Sequence, residues 1–415
     1  MALVWALYAF QALVLYVVST VVYRCLFHPL AGIPGPFVPS VTRLYIWYWN
    51  VIKDGKFYLQ LDELHARYGP VIYSVGGRFY KDPGFYDALN VPVAFTAISN
   101  EEHRRRRAPL NHFFSRRAVL DLEDIVQEKA AKLCRRYAFA DCWDHLDAPD
   151  YNEWFSEAVR DTGVMWWTFQ QFPILIGPMA LMPMSVARKM SPAMNGWMDC
   201  IVRTSEYVAE VQKKDEETPI QATLESLSGE ALSFCTAAAD NTGNALETAA
   251  YYVITNPKIY AALTKELRDA FPDPNASINF VTLEKLPYLT AVIKEGQRLA
   301  YGVIGRLPRV TASGGATFND YYVPEGTVVS MSSWTMHRNP DAFPNPDVFD
   351  PTRWTTGDVR AREKCLVTFG RGSRACIGQN LAMCELYDSD RTFVDYFTAF
   401  HPKDAKGFKV VEVRK

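Results

Sequence analysis

The chain opens on an uninterrupted apolar run. Its first 23 residues contain no Asp, Glu, Lys or Arg, and Ala2 to Tyr23 show no polar stripe. At about 1.5 Å per residue, a helix over this run crosses a hydrocarbon core of roughly 30 Å. A cleaved signal peptide and a buried core helix are the alternatives. A basic start and a small-x-small site, which a signal peptide needs, are missing. The pattern predicts a transmembrane anchor over 1–24. The next charges, Arg24, Arg43, Lys53 and Lys56, place the body on the cytoplasmic side by the positive-inside rule. Phe27-His28-Pro29-Leu30-Ala31-Gly32-Ile33-Pro34-Gly35-Pro36 cannot be helical, and residues 25–40 read as a stiff hinge.

From residue 41 to 415 a period near 3.6 dominates, as expected of one mainly helical domain. Leu59 to Tyr68 is one such stretch, stopped by Gly69-Pro70. Leu232 to Thr255 reads as one long helix ending at Asn256-Pro257. Strand signals are short: Val71 to Val75, then Tyr321 to Val323 and Thr327 to Ser330 around the turn Pro324-Glu325-Gly326. Pro340, Pro344, Pro346 and Pro351 force a meander between His337 and Trp354. With 49% hydrophobic and 22% charged residues the body is globular, and a net charge of -2 gives no reason to expect nucleic acid. Eight cysteines without regular spacing are no disulfide framework and fit a reducing compartment.

The chemistry concentrates at Phe369-Gly370-Arg371-Gly372-Ser373-Arg374-Ala375-Cys376-Ile377-Gly378. Gly370 and Gly372 permit a tight turn that aims backbone N–H groups at a sulfur. Ile377, Leu381 and Cys384 then follow at helical spacing, so Cys376 is expected where a helix begins. Arg374 has the bidentate geometry for a carboxylate. Gly370-x-Gly372-x-x-Ala375 also matches a dinucleotide fingerprint, with Asp388 or Asp390 near the ribose position. That reading lacks an alternating strand-helix pattern. A buried structural cysteine is the third reading.

The motif Phe-Gly-x-Gly-x-Arg-x-Cys-x-Gly resembles the haem-binding signature of the cytochrome P-450 superfamily, and its companions are present. Glu295-x-x-Arg298 lies in an apolar-periodic helix upstream of the cysteine. Glu101/Arg104, Glu102/Arg105 and Glu157/Arg160 share that spacing elsewhere, so position decides. Asp350-Pro351-Thr352-Arg353-Trp354 resembles the segment that completes a buried Glu-Arg-Arg triad, which assigns Glu295, Arg298 and Arg353 a structural role. Ala237-Ala238-Ala239-Asp240-Asn241-Thr242-Gly243-Asn244 resembles the oxygen-binding helix segment Ala-Gly-x-Asp/Glu-Thr-Thr. Taken alone it could equally be a cap between two helices. Asp240, Asn241 and Thr242 become the catalytic candidates, although Asn241 stands where the family has a hydroxyl residue for proton delivery. His103 stands where a Trp is frequent, and Arg107 and Arg309 resemble haem propionate ligands beside Arg374.

The resemblance is to fungal secondary-metabolism members of the trichodiene oxygenase type. It implies a mainly α fold with small β-sheets, haem b ligated by Cys376 within Phe369, Gly370, Gly372 and Gly378, and monooxygenase activity. An NADPH-dependent reductase and O2 would serve it, with an apolar terpenoid or polyketide as substrate and the endoplasmic reticulum membrane as its site. Segments expected near Val91 to Asn100, between Arg136 and Tyr137, and after Tyr387 are missing, which makes the domain shortened. A haem-thiolate isomerase or dehydratase, motivated by Asn241, and a non-catalytic haem-binding remnant are the alternatives.

Overall fold

The structure, a computed structural model, describes residues 1–42, 44–53, 55–69, 80–86, 93–130, 168–169, 172–175, 178, 182–183, 185–186, 192–214, 224–273, 278–318 and 320–390. The expected strand Val71 to Val75 and the junction at Arg136 and Tyr137 lie outside the described residues. The chain parts into two compact units.

The first unit takes residues 1–90, 160–187 and 307–331. Helix α1 (Ala2–Val22) passes into a π-helical turn, Tyr23–Phe27. Its large side chains, among them Trp5, Leu7, Phe10, Leu13 and Leu15, are exposed. The chain is non-helical from His28 to Pro36, and helix α2 (Phe37–Val41) follows. The hinge expected over 25–40 therefore has a helical turn at each end. Pro36 enters α2 in extended conformation, and Pro39 is tolerated in its first turn, where a backbone N–H has no helical partner. Arg24 Nη1 donates to Val41 O at 2.5 Å and ties the end of the apolar helix to α2. Helix α3 (Phe57–Tyr68) stops at Gly69, whose φ of 92° suits glycine.

Strands β1 (Tyr80–Lys81), β2 (Arg309–Val310), β3 (Ala316–Phe318), β4 (Tyr321–Val323) and β5 (Val328–Val329) complete this unit. They form an antiparallel sheet in the order β1-β2-β5 and a β3-β4 hairpin. Buried Thr311 stitches the return: its Oγ1 donates to Pro324 O at 2.6 Å and accepts from Thr327 N at 3.0 Å.

The second unit takes 91–159, 188–306 and 332–415. Its helices used below are α4 (Asn100–Phe113), α5 (Arg116–Asp121), α6 (Glu123–Ala130), α7 (Pro192–Lys214), α8 (Leu224–Thr255), α9 (Pro257–Ala270), α10 (Pro287–Ala300), α11 (Ser333–His337), α12 (Val359–Cys365) and α13 (Gln379–Asp390). Helix α8 begins eight residues before the expected Leu232 and runs unbroken through Asp240–Asn244, which removes the two-helix alternative. The reason is local: Asn241 Nδ2 bonds back to Ala237 O at 2.9 Å within the same helix instead of capping a new one.

The core joins α8, α9, α10 and α13 through Ala245, Ala249, Val253, Leu263, Leu289, Val292, Ile293 and Leu381. Helices α8 and α10 approach closely enough that a Cβ on Gly296 would lie 2.8 Å from Ala249 Cβ. The proline-rich stretch after α11 is a meander closed by a short 3-10 turn, Pro351–Trp354, as the prolines require.

Candidate active site

Between α12 and α13 the cysteine loop is a backbone construction. Gly370 and Gly372 take φ of 66° and 78°, a region that side chains disfavour. Gly370 N donates to Val367 O at 2.8 Å, Ala375 N to Gly372 O at 3.0 Å, and Cys376 N to Phe369 O at 2.8 Å. Cys376 is thus held at the mouth of a closed loop, with its side chain exposed. Helix α13 starts at Gln379, three residues later than expected, and Ala382 N donates to Gly378 O. Protein atoms crowding the loop partly desolvate the sulfur and push the Cys376 thiol up; the Gly378 N–H bonded to it and the charge of Arg107 pull it down.

Arg107 and Arg374 both bond across between this loop and α4. Arg107, on α4, donates through Nη1 to Ala375 O at 2.6 Å and through Nε to Asn111 Oδ1 at 3.2 Å. Arg374, expected as a propionate ligand, reaches Ala97 O, Ile98 O, Ser99 O and Asn100 Oδ1 through Nη1 and Nη2 at 2.8–3.0 Å. A guanidinium fork fits converging carbonyls as well as a carboxylate, and here it fastens the cysteine loop to the start of α4. That helix begins with an N-cap, in which Ser99 Oγ accepts from Glu102 N at 3.1 Å. His103 is buried, while Arg104 and Arg105 face solvent. Arg309 lies on β2 in the first unit, where Nη1 donates to Tyr86 Oη at 2.7 Å and to Pro308 O at 2.9 Å.

On α10, Glu295 is fully buried and accepts five hydrogen bonds. Arg298 supplies two at 2.8 and 2.9 Å, Arg353 Nε one at 2.9 Å, Asp350 N one at 2.9 Å, and Trp354 Nε1 one at 2.8 Å. The arginines spend their other nitrogens on meander carbonyls: Arg298 on His337, Pro346 and Val348, Arg353 on Pro344 and Val348. A buried charge cluster persists only when so fully paired. Trp354 is a member that sequence reasoning passed over, although it stood in the motif.

On α8, Ala237, Asn241 and Gly243 are exposed, and a Cβ on Gly243 would meet no heavy atom within 4 Å. Asp240 is on this helix, but its side chain lies outside the described residues. Thr242 hydrogen-bonds to Glu385 of α13, a second residue missed from sequence. Burial pushes the Glu385 carboxyl up to about 7, and the Thr242 hydroxyl opposes that shift only in part. Its signal was a carboxylate within the buried turn Leu381, Cys384, Leu386, Tyr387. A third missed residue is His337, fully buried and pushed down to about 4 by that burial. An exposed sulfur on a glycine loop fits a macrocycle ligated by one cysteine.

The comparisons agree with this geometry. The Cytochrome P450 family profile matches residues 186–402. The chain is 31% identical over 454 aligned positions to the cytochrome P450 monooxygenase MO6277 of Ascocoryne sarcoides, covering 90% of this chain and 88% of the relative. It is 30% identical to the tryptophan 6-hydroxylase fscE of Fusarium equiseti, over 96% and 95% of the two chains. Among solved structures, the cytochrome P450DA heme domain superposes with a TM-score of 0.59 at 19% identity, covering 79% of each chain. The mainly helical fold with small sheets is therefore the one expected, and the chain belongs to the cytochrome P450 family of haem-thiolate monooxygenases.

Proposed function

We propose that Cys376 is the sulfur ligand of the haem iron, and that the enzyme inserts one oxygen atom into an apolar small molecule, a terpenoid or polyketide of secondary metabolism. The observation that carries this is the loop itself: an exposed cysteine whose sulfur accepts the Gly378 N–H, at the mouth of a turn closed by Cys376 N to Phe369 O. A cysteine-ligated haem supplies the activation of O2 needed to oxidise an unactivated C–H bond.

The chain's own residues do the rest. Gly378 N–H and the Arg107 charge stabilise the thiolate. Arg374 and Arg107 fix the loop against α4, and the Glu295 cluster fixes the meander. Thr242 Oγ1 on α8 and the Glu385 carboxyl on α13 hold a proton between the two helices, whereas the Asn241 carboxamide does not titrate and is bonded back to Ala237. The apolar α1 anchors the chain in the endoplasmic reticulum membrane with its body in the cytoplasm, and electrons come from an NADPH-dependent reductase. The substrate class is open to direct comparison, because the relative fscE is named for tryptophan.

The test is the carbon monoxide difference spectrum of the reduced protein. Wild type is expected to give the thiolate-type band and Cys376→Ala none; a band that survives in Cys376→Ala overturns the assignment. Turnover with reductase, NADPH and O2 on terpenoid, polyketide and tryptophan panels then reads the substrate class. Product formed without reductase and O2 would instead favour the isomerase or dehydratase reading, to which the back-bonded Asn241 lends its one structural argument.

A further inference from the structure

His337 closes helix α11 and is fully buried. Its two ring nitrogens face two different parts of the second unit. Nε2 lies 2.9 Å from Val367 N, which is a donor only, so Nε2 must be the acceptor. Nδ1 therefore carries the proton and donates to Arg298 O at 2.9 Å. That carbonyl is in the last turn of α10, where helical partners have run out. Burial pushes the ring down to about 4, so it is neutral at physiological pH and keeps the lone pair that the Val367 contact requires.

Val367 is where the cysteine loop begins. Its carbonyl accepts from Gly370 N at 2.8 Å, and the neighbouring Thr368 Oγ1 donates to Gln297 O at 3.4 Å. Two residues on, Phe369 O receives the N–H of Cys376. A short path of bonds thus runs from α10 through the imidazole to the backbone that holds the sulfur. The ring itself cannot swing. Tyr301 stacks on it at 6.1 Å and 23°, in turn packing on Trp334. Tyr301 holds this place at a left-handed φ of 62°, a region that non-glycine residues rarely adopt.

The geometry points to His337 as a positioning residue for iron ligation: its Nε2 lone pair pins Val367 N–H and so fixes the base of the cysteine loop at the register that presents Cys376. This rests on the reading of Cys376 as the iron ligand. Without the acceptor, the half-buried Val367 N–H would be unsatisfied, and the loop gains by shifting toward water.

Two substitutions separate the nitrogens. In His337→Gln the amide oxygen reaches the Nε2 position and can still accept from Val367. In His337→Asn the amide sits near Nδ1 and can still donate to Arg298 O, while the acceptor is lost. The holoenzymes are compared by haem content and by the ratio of thiolate-type to thiol-type bands in the reduced carbon monoxide spectrum. His337→Gln is expected to keep the wild-type ratio, and His337→Asn to lower it about tenfold. Equal ratios in the two variants overturn the inference. Should neither variant accumulate folded, amide hydrogen exchange on the wild-type holoenzyme decides. Val367 protected like the amides of α10 supports the inference, and exchange at the rate of an open loop overturns it. Failure of the Cys376 reading is distinct, since the wild-type spectrum would then survive Cys376→Ala.

Discussion

Glu385 carries its proton in the folded protein to about pH 7, whereas in the unfolded chain it loses that proton near the ordinary 4.5. Between those values the folded state binds more protons, so stability falls as pH rises through the window. The loss is complete above about pH 7 and amounts to at most about 3 kcal/mol. Glu385→Gln cannot ionise. The variant should match wild type near pH 5 and melt higher than wild type at pH 8; equal melting temperatures at both pH values would show that the carboxyl is solvated. His337 works in the opposite sense. Its neutral form stabilises fully above the ordinary 6.5 and loses that contribution as pH falls toward about 4. What sequence made legible among residues follows from local demands. Gly370 and Gly372 were readable because the turn needs positive φ, and Cys376 because its neighbours set its spacing. The Glu295 pairing to Arg353 spans 58 positions and was reached only through the resemblance. His337 and Glu385 were not reached, since each depends on what the fold places against a buried polar atom.

The seam between α8 and α10 depends on three small residues. Gly296, inside the Glu295-x-x-Arg298 turn, faces Ala245 and Ala249, and an added Cβ would sit 2.8 Å from Ala249 Cβ and 3.2 Å from Ala245 O. Gly296→Ala gains roughly 1 kcal/mol of helix propensity but forces the helices apart, an overpacking cost of about 1–3 kcal/mol. A net loss of thermal stability and of haem retention is expected. Moving the methyl group tests the cause: Gly296→Ala combined with Ala249→Gly should recover most of the loss, as contacting sites couple. Additive losses in the double variant would mean the seam is not steric. Periodicity predicted both helices, since each carries an apolar face of usable length. Their closeness was not readable, because a glycine within a helix pattern signals a contact without naming its partner. Tyr321–Val323 is a strand as expected and Val328–Val329 lies within the expected Thr327–Ser330, whereas β1, β2 and β3 went unread for a physical reason. Each of the five described strands has two or three residues, too short to show alternation, and Thr311 rather than a pattern holds the return of the chain.

Membrane attachment is a property of the whole chain that a single helix should confer. Helix α1 is 21 residues long and, with the π turn, its exposed apolar surface continues through Leu26 and Phe27. Twenty-one residues reach about 32 Å, enough to span a hydrocarbon core of roughly 30 Å without tilt. The helix ends where Arg24 turns to the carbonyl of Val41, so the first charge of the chain is spent at the start of the hinge. A surface-lying helix would need a polar face, and α1 has no charged residue on any side. Full-length protein should therefore resist extraction by alkaline carbonate, and a variant lacking residues 1–24 should move to the supernatant with its thiolate spectrum intact. Protease added to sealed microsomes should digest the body from the outer face. Release of the full-length chain by carbonate would make α1 peripheral. A deletion variant that stays bound would shift the anchor to the exposed side chains that follow it, beginning with Leu26 and Phe27.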